Sequence, residues 1–245
     1  QPDVIAEHEC DFDGPEECMM GWTVTAPITG AVASNALPSV MRMFAESSTL
    51  SETIYADYKR VLQTLSSKFP PESHWVLKCP LHLLRLDTIL NVFPDAEIVW
   101  IHRRPRESVA SWCRITNSVA TASHNHLTGD RVGRVALDLF TSMISQGMAA
   151  RDKMQREGQF HDIQFTDVIA DPVGVVEQLY SKLGKKLTAE TRESMVQFVA
   201  NWEEQRKKKA ERFPGVRAGL ADFGLTDEDM DAFDDYEARF GLVKQ

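Results

Sequence analysis

The sequence predicts a helix-rich α/β fold in which a parallel sheet is flanked by helices. Three observations carry this. The run Glu97 to Ile101 (E-I-V-W-I) is short, β-branched and apolar at successive positions, as a strand covered on both faces must be. Apolar residues on either side of it recur at helical spacing. Strand and helix signals then alternate along the chain, the order that produces parallel pairing.

The elements follow in sequence. Pro15 to Met20 (P-E-E-C-M-M) reads as a helix start, with an early proline and acids in the first turn. Thr25 to Pro38 is rich in Thr, Ser, Ala, Gly and Pro and reads as loop. In residues 51–67, Ile54, Tyr58, Val61, Leu62 and Leu65 mark one face of an amphipathic helix. His74 to Lys78 (H-W-V-L-K) reads as a buried strand, and Leu81 to Val92 as a helix ending at Phe93-Pro94. After the strand at 97–101, Pro105 opens a helix to about Asn117. Residues 118–130 are polar and read as a loop of the kind that covers a bound substrate. A long helix is expected over 131–157, stopped by Gly158, and Phe160 to Phe165 is a weaker third strand. Asp171 N-caps a helix with Pro172 at its first position, ending at Gly184. Residues 188–212 are helical and end in the basic run Arg206 to Lys209, which complements the helix dipole. Residues 213–225 form a glycine-containing loop. Thr226 with Asp229 resembles a capping box for a last helix over 227–240. No repeat or low-complexity linker interrupts the chain, so residues 1–245 read as one domain.

The totals narrow the function. The formal charge of -9 argues against nucleic-acid binding, which needs clustered Lys and Arg to neutralise phosphates. No stretch approaches the ~20 apolar residues of a membrane span, and no signal peptide is visible, so a cytoplasmic compartment is the expectation. None of Cys10, Cys18, Cys79 and Cys113 forms a C-x-x-C pair, so no zinc knuckle is expected. Cys79 and Cys113 sit in apolar segments and read as buried; Cys10 and Cys18 would pair only in an oxidising compartment. His124 and His126 form H-x-H in a polar loop without an acid cluster beside them, too little for a metal. Met41, Met43 and Phe44 read as core or as the lining of a substrate pocket.

The chemistry concentrates between Trp75 and Cys113. Ligands of open α/β sheets collect at the carboxyl ends of strands. One strand ends at Lys78, with His82 just beyond; the other ends at His102-Arg103-Arg104 and runs into a helix start. Free N–H groups and the helix dipole there favour an anion, arginines add bidentate donors, and Ser111 on the same helix adds a hydroxyl. The plainer alternative is that these cations face solvent or pair with acids such as Glu107. A histidine near a helix start tends to stay neutral, which suits a base.

The run W-V-L-K-C-P-L-H from Trp75 to His82 resembles the lysine–proline–histidine segment of bacterial-type PAPS-dependent sulfotransferases. F-P-D-A-E-I-V-W-I-H-R-R-P-R-E-S-V-A-S from Phe93 to Ser111 is similar to their 3′-phosphate segment. Asp162 to Pro172 and the tail Phe223-Gly224-Leu225 with Tyr236 and Phe240 also resemble the family, and the similarity covers most of residues 7–242. The resemblance implies a P-loop NTPase-like sulfotransferase fold. It implies transfer of the sulfuryl group of PAPS to a hydroxyl or amine on a small-molecule, glycan or peptide acceptor, leaving PAP, without a metal. His82 would be the general base. Lys78 would orient the transferring group or stabilise charge around it. Arg103 and Ser111, with Arg217 as a weaker member, would hold the 3′-phosphate.

Two departures stand out. The family's first strand leads into a G-x-x-R-S-G-T-T loop that cradles the 5′-phosphosulfate. Neither that loop nor G-x-x-x-x-G-K-[ST] occurs here. In relatives it lies well upstream of Pro15, so the expectation is that it precedes Gln1; a partner chain that supplies it and a shortened homologue that has lost catalysis are the alternatives. Around Arg217 the chain reads Val216-Arg217-Ala218-Gly219, where the family often has an aromatic beside the basic residue. A non-catalytic homologue that binds PAP or a protein partner is therefore the second functional reading. A P-loop kinase is a weaker third, against which the Arg103–Ser111 spacing argues.

Overall fold

The computed structural model describes residues 17–18, 43, 45–122, 128–212 and 218–242. In chain order these form α1 (Ser48–Lys68), a 3-10 turn (Pro80–Arg85), α2 (Leu86–Val92), β1 (Ile98–His102), α3 (Pro105–Ala122) and α4 (Gly129–Met154). A turn at Glu157–Gln159 leads to β2 (Phe160–Gln164), α5 (Phe165–Ala170), α6 (Pro172–Lys182) and α7 (Ala189–Arg212). Two 3-10 turns, Leu220–Phe223 and Glu228–Phe233, precede α8 (Asp234–Phe240). The chain divides into two compact units: residues 1–96, 105–157 and 218–236 form the first, and 97–104, 158–217 and 237–245 the second.

The first unit is helical and centres on α4, which packs against the turn at 80–85, α2, α3 and the turn at 220–223. Helix α1 begins three residues before the apolar periodicity does, because the Ser47 hydroxyl caps the Leu50 N–H at 3.2 Å. It buries Ile54, Tyr55, Tyr58 and Leu62, each contributing about 1.5–3 kcal/mol of transfer free energy. The expected helix over 81–92 is split. Pro80 starts a 3-10 turn, and Arg85 leaves helical geometry (φ -143°) before α2 resumes. Arg85 is itself buried, and its guanidinium donates to the Ala45 carbonyl at 3.3 Å and Thr88 Oγ1 at 3.2 Å.

Helix α4 carries two glycines one turn apart that bring a backbone close. A Cβ on Gly133 would lie 2.1 Å from the Phe223 carbonyl oxygen, and one on Gly129 2.6 Å from that of Asp222. The F-G-L tail thus rests directly on α4, with Gly224 supplying the left-handed residue (φ +65°) that ends its turn. The C-terminus of α4 falls at Met154, before the expected stop at Gly158. Gln155 adopts φ +52°, and the buried Arg151 closes the corner by pairing with both carboxylate oxygens of Glu157. The Thr226–Asp229 capping box forms: the Thr226 N–H donates to Asp229 Oδ2 at 2.8 Å, and the Asp229 N–H to Thr226 Oγ1 at 3.3 Å. What it opens is first a 3-10 turn and only then α8.

The second unit holds the sheet. β1 and β2 pair in parallel, with Ile98 opposite Phe160 and His102 opposite Gln164. On one face of β1, Trp100 and His102 are buried; His102 stacks on Phe240 at 3.8 Å between ring centroids, and the Trp100 ring meets Phe240 at a tilt, 5.6 Å away. On the other face Val99 and Ile101 are exposed. Asp171 N-caps α6, its Oδ1 accepting from the Gly174 N–H at 2.9 Å. At the basic end of α7, Lys208 pairs with Glu204 one turn back at 2.7 Å.

Two sequence expectations need correction. Residues 74–78 are not a strand: among the described residues no strand pairs with them, and Trp75, Val76 and Leu77 are exposed. A strand needs a neighbouring edge; here, among the described residues, the Cys18 N–H donates to the Lys78 carbonyl at 2.9 Å. Helix α3 runs to Ala122 through residues expected to be loop. Residues 123–127, with His124 and His126, lie outside the described residues, as do most of Pro15–Met20, the expected loop at 25–38, Met41, Phe44 and Cys10. No helix among the described residues is long and apolar enough to cross a membrane.

Candidate active site

His82 sits in the 3-10 turn at 80–85. Pro80 fixes the start of the turn, and the His82 N–H closes onto the Cys79 carbonyl at 3.2 Å. Leu81 and Leu84 are buried on either side of it, so the core grips the backbone that carries the imidazole. Both ring nitrogens are engaged: Nδ1 lies 2.9 Å from the Tyr55 hydroxyl and Nε2 3.2 Å from Cys18 Sγ. Tyr58 also acts on Cys18, opposing the rise that burial imposes on the thiol.

Burial makes this neighbourhood uncharged. It pushes His82 down to about 4, because a desolvated imidazolium is penalised. It raises the Tyr55 and Tyr58 phenols and the Cys18 thiol, and takes the Cys79 thiol up to about 12. Near neutral pH His82 is therefore an unprotonated imidazole among neutral phenols and thiols.

Lys78 belongs to the same unit. Its ammonium pairs with the Glu17 carboxylate, and its side chain is largely exposed. Glu17 and Cys18 thus run across both residues of the lysine–histidine segment: the carboxylate meets Lys78, the next N–H meets the Lys78 carbonyl, and the thiol meets His82. An exposed ion pair is worth at most about 1 kcal/mol, so Lys78 is a cation whose partner an incoming anion can replace.

The residues expected at the 3′-phosphate fall differently. In the second unit, the Arg103 guanidinium lies over the Phe165 ring, 4.5 Å from its centroid. Its neighbour Arg104 places Nε 3.6 Å from Glu237 Oε1. Ser111 is half-buried on α3, in the first unit. Arg217 lies outside the described residues. Among the described residues no group of three or more His, Cys, Asp or Glu side chains is placed to hold a metal ion.

A family model described as the Sulfotransferase family matches residues 7–190. The chain belongs to the sulfotransferase family. Two solved structures agree. Sulfotransferase STF1 from Mycobacterium tuberculosis H37Rv is 27% identical with a TM-score of 0.76, over 96% of this chain and 57% of its own. Sulfotransferase STF9 from Mycobacterium avium is 26% identical with a TM-score of 0.68, over 82% of this chain and 50% of its own. The chain thus spans about half the length of either. No curated protein matches it. The α/β sulfotransferase fold expected from the sequence is the one found.

The sequence points to His82 and Lys78 as candidates and carries no sign of their partners. By pattern alone Tyr58 belongs to the apolar stripe of α1, Tyr55 carries no signal of its own, and Cys18 offers only a possible disulfide with Cys10. The Tyr55–His82 and Cys18–His82 bonds span 27 and 64 residues. No local periodicity carries such pairs.

Proposed function

We propose that this sulfotransferase uses PAPS as its donor and moves the sulfuryl group to a hydroxyl or amine of a small-molecule, glycan or peptide acceptor. In this reading His82 takes the acceptor's proton as the acceptor oxygen or nitrogen bonds to sulfur. The bond from sulfur to the bridging oxygen breaks, and PAP leaves with that electron pair. Lys78 exchanges Glu17 for the transferring group and offsets its negative charge. On the strength of the motif they match, Arg103, Ser111 and Arg217 hold the 3′-phosphate.

The observation that carries the reading is the unprotonated His82 on the lysine–proline–histidine segment. An imidazole that titrates at about 4 is available as a base at neutral pH but a weak one. An anionic sulfuryl group alongside it would favour the imidazolium and strengthen the base when it is needed.

Calorimetry with PAP on the native chain and on Arg103→Ala tests the donor assignment. Binding that weakens in the variant is expected; equal affinity would remove Arg103 from the site. Labelled PAPS with a panel of acceptors tests the reaction. PAP binding with no transfer to any acceptor would instead favour a non-catalytic homologue.

A further inference from the structure

A neutral imidazole carries one proton, so one ring nitrogen donates while the other accepts. At His82 the two occupants decide which. Cys18 is a free thiol: burial raises it, against the smaller opposing influence of Tyr58. A thiol that keeps its proton has His82 Nε2, 3.2 Å away, as an acceptor. That leaves the imidazole proton on Nδ1, directed at the Tyr55 hydroxyl oxygen 2.9 Å away. Tyr55 is fully enclosed on α1, so its hydroxyl has a fixed place, and the ring stands 5.8 Å from the imidazole at 39°.

We propose that Tyr55 is the positioning residue of His82: its hydroxyl accepts from Nδ1–H, fixes that tautomer, and turns the Nε2 lone pair toward the place the Cys18 thiol marks. The inference rests on His82 being the base. The acceptor's O–H or N–H then presents its proton to Nε2 from the side on which the thiol's hydrogen lies. A serine protease uses a carboxylate to hold its imidazole. A phenol holds the ring's orientation without adding a charge, which fits a pocket whose other titratable neighbours, Cys18, Tyr58 and Cys79, are all neutral there, with Arg85 the nearby cation.

The test reads the tautomer directly. With histidine labelled with nitrogen-15, multiple-bond proton–nitrogen spectra of the native chain at pH 7 should show His82 protonated at Nδ1 and bare at Nε2. Tyr55→Phe, which removes one oxygen from the core, should shift the population toward Nε2–H while the other histidine signals stay in place. In turnover the same variant should lose roughly tenfold in kcat, the scale of one neutral hydrogen bond, with the KM for PAPS unchanged. A native Nε2–H tautomer overturns the proposal, and so does a Tyr55→Phe spectrum identical to the native one. If the variant does not fold, the native tautomer alone decides. Undiminished turnover in His82→Asn would sink the base assignment instead, and the tautomer spectra would tell the two failures apart.

Discussion

Two enclosed histidines, one in each unit, have opposite surroundings. His82 is held by a phenol and a thiol, both kept neutral by burial. His102, completely buried on β1, directs Nε2 at the Asp162 carboxylate on β2, 2.7 Å away, and lies flat against Phe240. The carboxylate ties two strands together, and the aromatic ring seals the stack. His102 therefore belongs to the architecture of the sheet. His82, with neutral partners, is left able to exchange a proton with something that arrives. On the proposed mechanism, the two histidines differ here in the charge of their partners and in whether those partners join two strands.

The largest effect should separate the two by their readouts. His82→Ala should cost about 10²–10⁴-fold in turnover, the usual worth of a general base, with PAP affinity measured by calorimetry unchanged. His102→Ala should show its loss in the thermal midpoint, with turnover per folded molecule retained. A His102 variant that folded normally and lost turnover would erase the distinction.

Acid gives the next largest effect. The unfolded chain carries an ordinary histidine near 6.5, while folded His82 titrates near 4. Above pH 6.5 both states are neutral there and His82 adds no pH dependence. As pH falls from 6.5 toward 4, the unfolded state takes up a proton the folded state refuses, so stability declines. The integrated loss is about 3 kcal/mol at most. Urea unfolding at pH 7 and pH 4.5, for the native chain and His82→Asn, should show a smaller acid loss in the variant. Equal losses would mean that the pocket admits water and that His82 is not desolvated.

The sequence made much of this legible. The strand at Ile98–His102, the Asp171 cap, the Thr226–Asp229 box and the candidate base and cation at His82 and Lys78 all depend on neighbours within a few residues or on a contiguous motif. What stayed hidden depends on distant chain. Residues 74–78 have the composition of a strand, but a strand exists only where an edge receives it, and no local pattern reports whether one is present. Tyr55 is spaced like any buried helix residue, and nothing in that spacing says that its hydroxyl meets an imidazole. Gln155 shows the same limit at a helix end, where the buried Arg151 pairing with the exposed Glu157 overrides the glycine expected to stop α4.

The two smaller effects compare a sheltered polar pair with an exposed one. Asp162→Ala leaves a ring nitrogen of the fully buried His102 without its carboxylate, and the loss of stability should be about 2 kcal/mol. Asp162→Asn keeps an oxygen there and should recover much of it in urea unfolding. Matching losses in the two variants would show that the carboxylate's charge, rather than its oxygen, holds the strands. Lys78→Ala breaks a pair whose cation is mostly in water, so the stability change should be below about 1 kcal/mol. Because the folded state barely registers the change, any fall in turnover reports on the reaction itself. Replacing Glu17 by Gln sharpens this: it frees Lys78 from its partner without removing the ammonium, so turnover should hold or rise slightly. A fall in Glu17→Gln as deep as that in Lys78→Ala would mean that the ion pair itself, and not a releasable lysine, is what the site requires.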